Sequence, residues 1–316
     1  MRKDLLQNLK PDSVLILDGA DRLTDKEYHS QIRDVTGHSF ISSSGLKSLL
    51  NIDLCRWSGS VAEFGTAVHR WIEWKLGGPE YHVYGPLLKP DGTAVRKNAN
   101  EYKAWKAELD KKHGDNDFII LTNSDYQDFK TLTQGFNKFL VGLKKQFSTV
   151  MVEPSFFVGS KIVKEREKDF PLLKDFMRHC LKDYGLKGRM DCVAIDGTTL
   201  HIYDWKTTSK NTLIDFAWQV KSLDYLLSLY FYGVVISLAT GLEIGTINIV
   251  PLARGEGSVA ACLRMTMDDI EKIIGFDNQF LFEKWIKRVR MAGKKMKETR
   301  DVGHSVIDFK DIEEIM

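Results

Sequence analysis

The stretch G-R-M-D-C-V-A-I-D-G-T-T-L-H-I-Y-D-W-K-T-T, residues 188–208, reads as two short strands joined by a tight turn. With Gly197-Thr198 as a two-residue loop, Asp196 pairs with Thr199, and counting outward sets Asp191 opposite Asp204. With Asp196-Gly197 as the loop, an equally good turn dipeptide, the two acids are diagonal neighbours on one face; a three-residue loop would part them. Alternation puts Lys206 on the face of Asp204, with Tyr203 and Trp205 on the other. Two carboxylates and an ammonium thus converge on strands whose Val193, Ile195 and Ile202 call for burial. Like charges this close are destabilising. A divalent cation between them removes the conflict, since hard cations such as Mg²⁺ take oxygen ligands, and the lysine can then hold an anionic oxygen or orient a water. On that view, removing one acid relieves repulsion, and stability without metal should hold or rise.

The rest of the chain sets the context. Its 316 residues, 43% hydrophobic and 28% charged, suffice for a sizeable core and place it in the globular class. A formal charge of +2, from 45 basic and 43 acidic residues, is too small to argue for nucleic acid, so that case must rest on local clustering. Cys55, Cys180, Cys192 and Cys262 form no C-x-x-C pair, which argues against zinc knuckles, an iron–sulfur cluster and a disulfide framework and fits a reducing cytoplasm. The N-terminus, M-R-K-D-L-L-Q-N-L-K-P-D, has no signal-like apolar run. Residues 225–242 are uncharged but diluted by serine, threonine, glycine and tyrosine, which fits a helix buried against a sheet better than a membrane span.

Upstream, F-I-S-S-S-G-L-K-S-L-L opens with serines suited to capping a short helix. In V-A-E-F-G-T-A-V-H-R-W-I-E-W-K-L-G-G, Phe64, Val68, Trp71 and Ile72 recur at helical spacing, Gly77-Gly78 ends the helix, and His69 and Glu73 share one face. Residues 79–117 have the character of an insertion. A helix over about 124–147 leads into T-V-M-V-E-P-S-F-F-V, where Pro154 suggests an edge strand or bulge. One long helix is expected over about 212–239, then two strands, then an amphipathic helix over about 268–298. The fold class is α/β: a mixed central sheet flanked by helices, with added helices.

G-x-x-D, a short turn and D-W-K-T-T resemble the PD-(D/E)XK nuclease superfamily, specifically its RecB-like and RecE-like exonuclease branch. G-T-A-V-H looks like that branch's metal-binding helix, I-S-S-S-G-L-K-S-L-L is similar to the opening of RecE-type phage exonuclease domains, and V-E-P-S-F-F stands where a glutamate-bearing strand often precedes the hairpin. The resemblance spans about residues 41–232 and implies a restriction-endonuclease-like core. It makes His69, Asp191, Asp204 and the backbone carbonyl of Trp205 metal ligands, with Glu153 as a weaker candidate, and Asp191, Asp204 and Lys206 the catalytic group. Arg189 and Gln219 are assigned to DNA. The family's Gln-x-x-x-Tyr helix is not matched: Leu223 follows Gln219 at that spacing, and Ser228 stands where a glutamine would precede Tyr232.

Independently, Lys284, Lys287, Arg288, Arg290, Lys294, Lys295, Lys297 and Arg300 face the single acid Glu298 within residues 284–300, a local basic face able to neutralise phosphates. Lys287, Arg288, Lys294 and Lys295 are taken as DNA-binding. The organisation expected is an N-terminal extension over 1–40, a nuclease domain over 41–265 and a basic helix with an acidic tail over 266–316.

The resemblance implies a Mg²⁺-dependent DNA exonuclease, with Mn²⁺ as a substitute, degrading double-stranded DNA 5′ to 3′ in phage or bacterial recombination. It further implies a ring-like homo-oligomer, a single-strand annealing protein as partner, a location in the host cytoplasm and no membrane. Two rivals stay open: a RecB-like single-strand-specific exonuclease, and a DNA-binding subunit with an inactive core.

Overall fold

The computed structural model describes residues 6, 9–30, 32–33, 37, 39–49, 59–114, 117–170, 184–210, 212–222, 225–254, 262–275 and 306–308. Along the chain run β1 (Val14–Leu17), α1 (Asp25–His29), β2 (Phe40–Ile41), α2 (Ser43–Leu49), α3 (Ser60–Leu76), β3 (His82–Tyr84), α4 (Asn100–His113), β4 (Phe118–Ile120) and α5 (Asn123–Gln146). Then follow β5 (Thr149–Val152), β6 (Ser155–Val158), α6 (Ser160–Arg166), β7 (Gly185–Arg189), β8 (Cys192–Asp196), β9 (Thr199–Thr208), α7 (Leu213–Ser222) and α8 (Tyr225–Thr240). The described chain ends with β10 (Glu243–Ala253), β11 (Cys262–Met265), α9 (Met267–Gly275) and β12 (Val306–Asp308).

The hairpin takes the Gly197-Thr198 register: Asp196 pairs with Thr199 and Cys192 with Tyr203. Gly197 supplies the positive φ, +57°, that such a turn requires. Alternation along β9 separates two cores. Leu200 and Ile202 enter the one built with α7 and α8, while Tyr203 and Trp205 enter the one built with α3 and α5.

Among the described residues three sheets are formed: β1-β6-β7-β2, β12-β11-β10-β9-β8-β5 and the small parallel pair β3-β4. The first two are joined at a bend. The β6–β7 ladder, Ser155 opposite Arg189, gives way to the β5–β8 ladder, Val152 opposite Cys192. Between them the Glu153 amide donates to the Asp191 carbonyl at 3.0 Å and the Met190 amide to that of Pro154 at 3.3 Å. Pro154 thus marks a change of sheet: β5 is an edge strand as expected, but β6 lies inside its own sheet.

α3 ends on Gly77, whose φ is +113° and whose amide donates to the carbonyls of Glu73 and Trp74. The expected helix over 212–239 is two helices, α7 and α8, meeting at 67°. α8 is buried along most of its length against both larger sheets, so its apolar composition answers to the core. Among the described residues no single helix is long and apolar enough to cross a membrane. Cys192 and Cys262 are buried and unbridged. Of the final amphipathic helix only α9 is described; Lys287, Arg288, Lys294 and Lys295 lie outside the described residues.

Candidate metal and phosphate centre

At the bend between the two sheets, ligand atoms of His69, Glu153 and Asp191 come within 4.8 Å of one another. Each arrives by a different route. His69 projects from the middle of α3, whose Ala67 and Val68 pack into the core beside it. Asp191 occupies the break between β7 and β8, where no ladder takes up its side chain. Glu153 opposes it with a φ of +51°, a left-handed conformation that residues other than glycine seldom adopt and that concentrates at functional positions.

The electrostatics interlock. Burial would lower the His69 imidazole, but Asp191, 3.6 Å from Nδ1, outweighs it and raises its pKa. Burial would raise Asp191, but the charge and hydrogen bond of His69, the charge of Lys206 and the Trp205 amide, which donates to Oδ2 at 2.7 Å, together hold the carboxyl at about 2. Glu153 is pushed up by burial and then by Asp191, despite Arg189 at 3.3 Å.

Asp204 and Lys206 share one face of β9 with their charges 2.6 Å apart. Burial, and then the charge of Asp191, raise the Asp204 pKa although Lys206 opposes them; burial would lower Lys206, but Asp204 outweighs it and keeps the ammonium charged. Asp204 is buried, 4% exposed, and Lys206 is half-buried, so the pair is not a fully solvated strand-surface contact. The repulsion expected between Asp191 and Asp204 is therefore already answered by His69 on one side and Lys206 on the other. Asp204 falls outside the three-residue cluster. The Trp205 carbonyl shares the strand edge of its amide, the edge that faces Asp191.

The donor chemistry fits a divalent cation. Two carboxylates suit Mg²⁺ or Mn²⁺, and an imidazole is a ligand for transition metals more than for Mg²⁺. These side chains open into a cleft of ≈390 Å³ whose other wall carries Ser42, Ser43, Lys47, Ser228 and Tyr232. The Tyr232 phenol is pushed up to about 12 by burial and the charge of Asp204, with its hydroxyl bonded to Ser43.

Of the other expected residues, Arg189 forms a hub, its guanidinium 2.5 Å from Asp25, 3.3 Å from Glu153 and stacked on Tyr28. Gln219 accepts from the hydroxyl of Thr208, the last residue of β9, at 2.7 Å, whereas Ser228 and Tyr232 line the cleft. Glu73 does not join His69; it is buried against Arg22 and Arg70. The sequence reading missed Asp25, Tyr28 and Arg22, which sit in a segment without periodic pattern. It noted the four-residue spacing of Ser228 and Tyr232 but gave neither a place in the site.

No curated protein matches the chain. A protein-family model described as the PD-(D/E)XK nuclease superfamily matches residues 46–301, taking in α3, the bend, the β8–β9 hairpin and α8. On that match, covering most of the sequence, the chain belongs to the PD-(D/E)XK nuclease superfamily.

Proposed function

We propose that this chain is a divalent-metal-dependent DNA exonuclease of the RecE-like type. The observation that carries the proposal is the convergence of His69, Glu153 and Asp191 beside the Asp204–Lys206 ion pair, in a chain of a nuclease superfamily. His69, Glu153 and Asp191 would hold the cation, Mg²⁺ or its substitute Mn²⁺, and Asp204 with the Trp205 carbonyl completes the expected donor set. When bound, the cation supplies the positive charge that polarises the scissile phosphate and favours attack by water.

The chain's own groups do the rest. Asp204 keeps the proton on Lys206 Nζ, so the lysine acts as a fixed positive charge toward the phosphate oxygens and not as a base. The Trp205 amide orients Asp191, and Arg189 holds Glu153 against the cluster. The serines, Lys47 and Tyr232 on the facing wall offer donors to the phosphate oxygens.

The resemblance to RecE-type domains supports the finer reading: duplex DNA resected 5′ to 3′, a ring-like homo-oligomer around it, and a single-strand annealing partner in phage or bacterial recombination in the host cytoplasm. The test is purified protein with Mg²⁺ on end-labelled duplex, single-stranded and circular DNA. Linear ends should be degraded and covalently closed circles spared; nicking of circles, or no cleavage at all, would overturn the reading. Lys206→Ala should slow single-turnover cleavage by on the order of 10²-fold while metal titration stays near the parent. Intact chemistry in that variant removes Lys206 from the mechanism.

A further inference from the structure

A second and larger cavity, ≈660 Å³, lies on the other side of Glu153 and Arg189, which line both it and the metal cleft. Its walls come from three parts of the chain. The N-terminal segment supplies Arg22 and Lys26, α3 supplies Thr66 and Arg70, and the 79–117 insertion supplies Tyr81 and Phe118. Thr66 and Arg70 stand one helical turn apart, so α3 presents His69 to the cleft and its neighbouring face to this cavity.

The two sides of the cavity differ in chemistry. On one, Arg22 and Arg70 share the single buried carboxylate of Glu73, with Arg189 close by. Burial, and then the nearby charge of Arg70, lower the Arg22 pKa, while Glu153 and Asp25, which pair with Arg189, raise it. Against these two acids the lining carries four cations, Arg22, Lys26, Arg70 and Arg189. On the other, Tyr81, Phe118, Pro79 and Ile119 form an apolar and partly aromatic wall. Cations beside aromatic faces are how single-stranded nucleic acid is held, phosphate on the former and base on the latter. The volume lies in the range of small-ligand sites, enough for one or two nucleotides and too small for a duplex.

We propose that this cavity receives the unpaired nucleotide flanking the phosphate at the metal centre, with its phosphate on Arg22 and Arg70 and its base against Tyr81 and Phe118. This rests on the nuclease reading and adds that the strand must be single-stranded where it passes the cluster, so a duplex end is opened before it is cut. The insertion is then part of the substrate site.

Binding of a fluorescent oligothymidylate, measured by anisotropy in EDTA so that no cleavage occurs, tests the proposal. Arg70→Gln should weaken binding about tenfold and make the log–log salt slope shallower by about 0.7. Because Arg70 also contacts buried Glu73, the exposed Thr66 supplies a second variant: Thr66→Trp fills the cavity and should weaken binding at least as much while thermal melting stays near the parent. In cleavage assays both variants should lose the parent's preference for frayed over blunt duplex ends. If the parent cuts DNA but folded Thr66→Trp binds the oligonucleotide like the parent, the subsite is overturned and the nuclease reading stands. If the parent neither cuts nor binds DNA, the nuclease reading fails and the subsite with it.

Discussion

The β8–β9 hairpin and the bend at Glu153-Pro154 and Met190-Asp191 sit side by side and are built on opposite principles. The hairpin is regular: a two-residue turn, an unbroken register and side chains alternating between two cores. Its charges are paired, Asp204 buried and Lys206 half-buried, so they belong to the folded state's stability as well as to the proposed chemistry. The bend is irregular. It holds a glutamate in a left-handed conformation, a carboxylate outside any ladder and an arginine shared among three partners. Rigid, self-consistent structure supplies the lysine, and locally costly structure supplies the acids proposed to hold the cation. The two regions should therefore answer mutation with opposite signs.

The largest effect is expected on the hairpin side. Asp204→Ala leaves the Lys206 ammonium partly buried without its carboxylate, and breaking a buried pair in this way costs about 3–5 kcal/mol. This reverses the expectation from repulsion alone, because Lys206 already neutralises Asp204. Urea unfolding without metal checks it; unchanged or increased stability would show that the acids do repel in the free protein and would erase the contrast between the two regions.

Next comes a pH effect on β7, close to the bend. Burial lowers Lys187 to about 8, where its ammonium donates to the Tyr28 carbonyl at 2.6 Å. The folded state sheds this proton near pH 8, whereas the unfolded chain keeps it to about 10.5, so between those values the unfolded state binds more protons and stability rises with pH. The rise attributable to this group is on the order of 2 kcal/mol. Unfolding of the parent and of Lys187→Met at pH 7.5 and pH 10 isolates it: the parent should gain more than the variant, and equal gains would dismiss Lys187 as the source.

The smallest effect, of opposite sign to the first, belongs to Glu153. Replacing it by glycine removes a left-handed strain of about 1 kcal/mol as well as a buried acid facing Asp191, so the melting temperature should hold or rise while cleavage falls sharply. Arg189 keeps Asp25 as a partner in that variant. A clear loss of stability would mean that Glu153 holds the bend together and is not a strained residue kept for its chemistry.

What could be read from the amino-acid order is what short-range physics controls. Turn chemistry around Gly197 and strand alternation were enough to put Asp191, Asp204 and Lys206 on one face, because each step involves residues only a few positions apart; the choice between the two possible two-residue loops fell to the structure. Helical spacing did the same for His69 and for the glycine stop at Gly77. The uniform apolarity of residues 225–240 identified a buried helix but not its break from α7, since no local residue announces a 67° change of direction between two apolar helices. The tertiary structure alone decided that Asp18 meets the Val152 amide across 134 positions and that Asp25 meets Arg189 across 164. It likewise decided that Glu153 turns inward to join His69 and Asp191, and that the N-terminal segment and the 79–117 insertion wall the second cavity. Such contacts depend on how two sheets join at a bend, and the free energy that selects that geometry is spread over the whole core, so no stretch of sequence carries it.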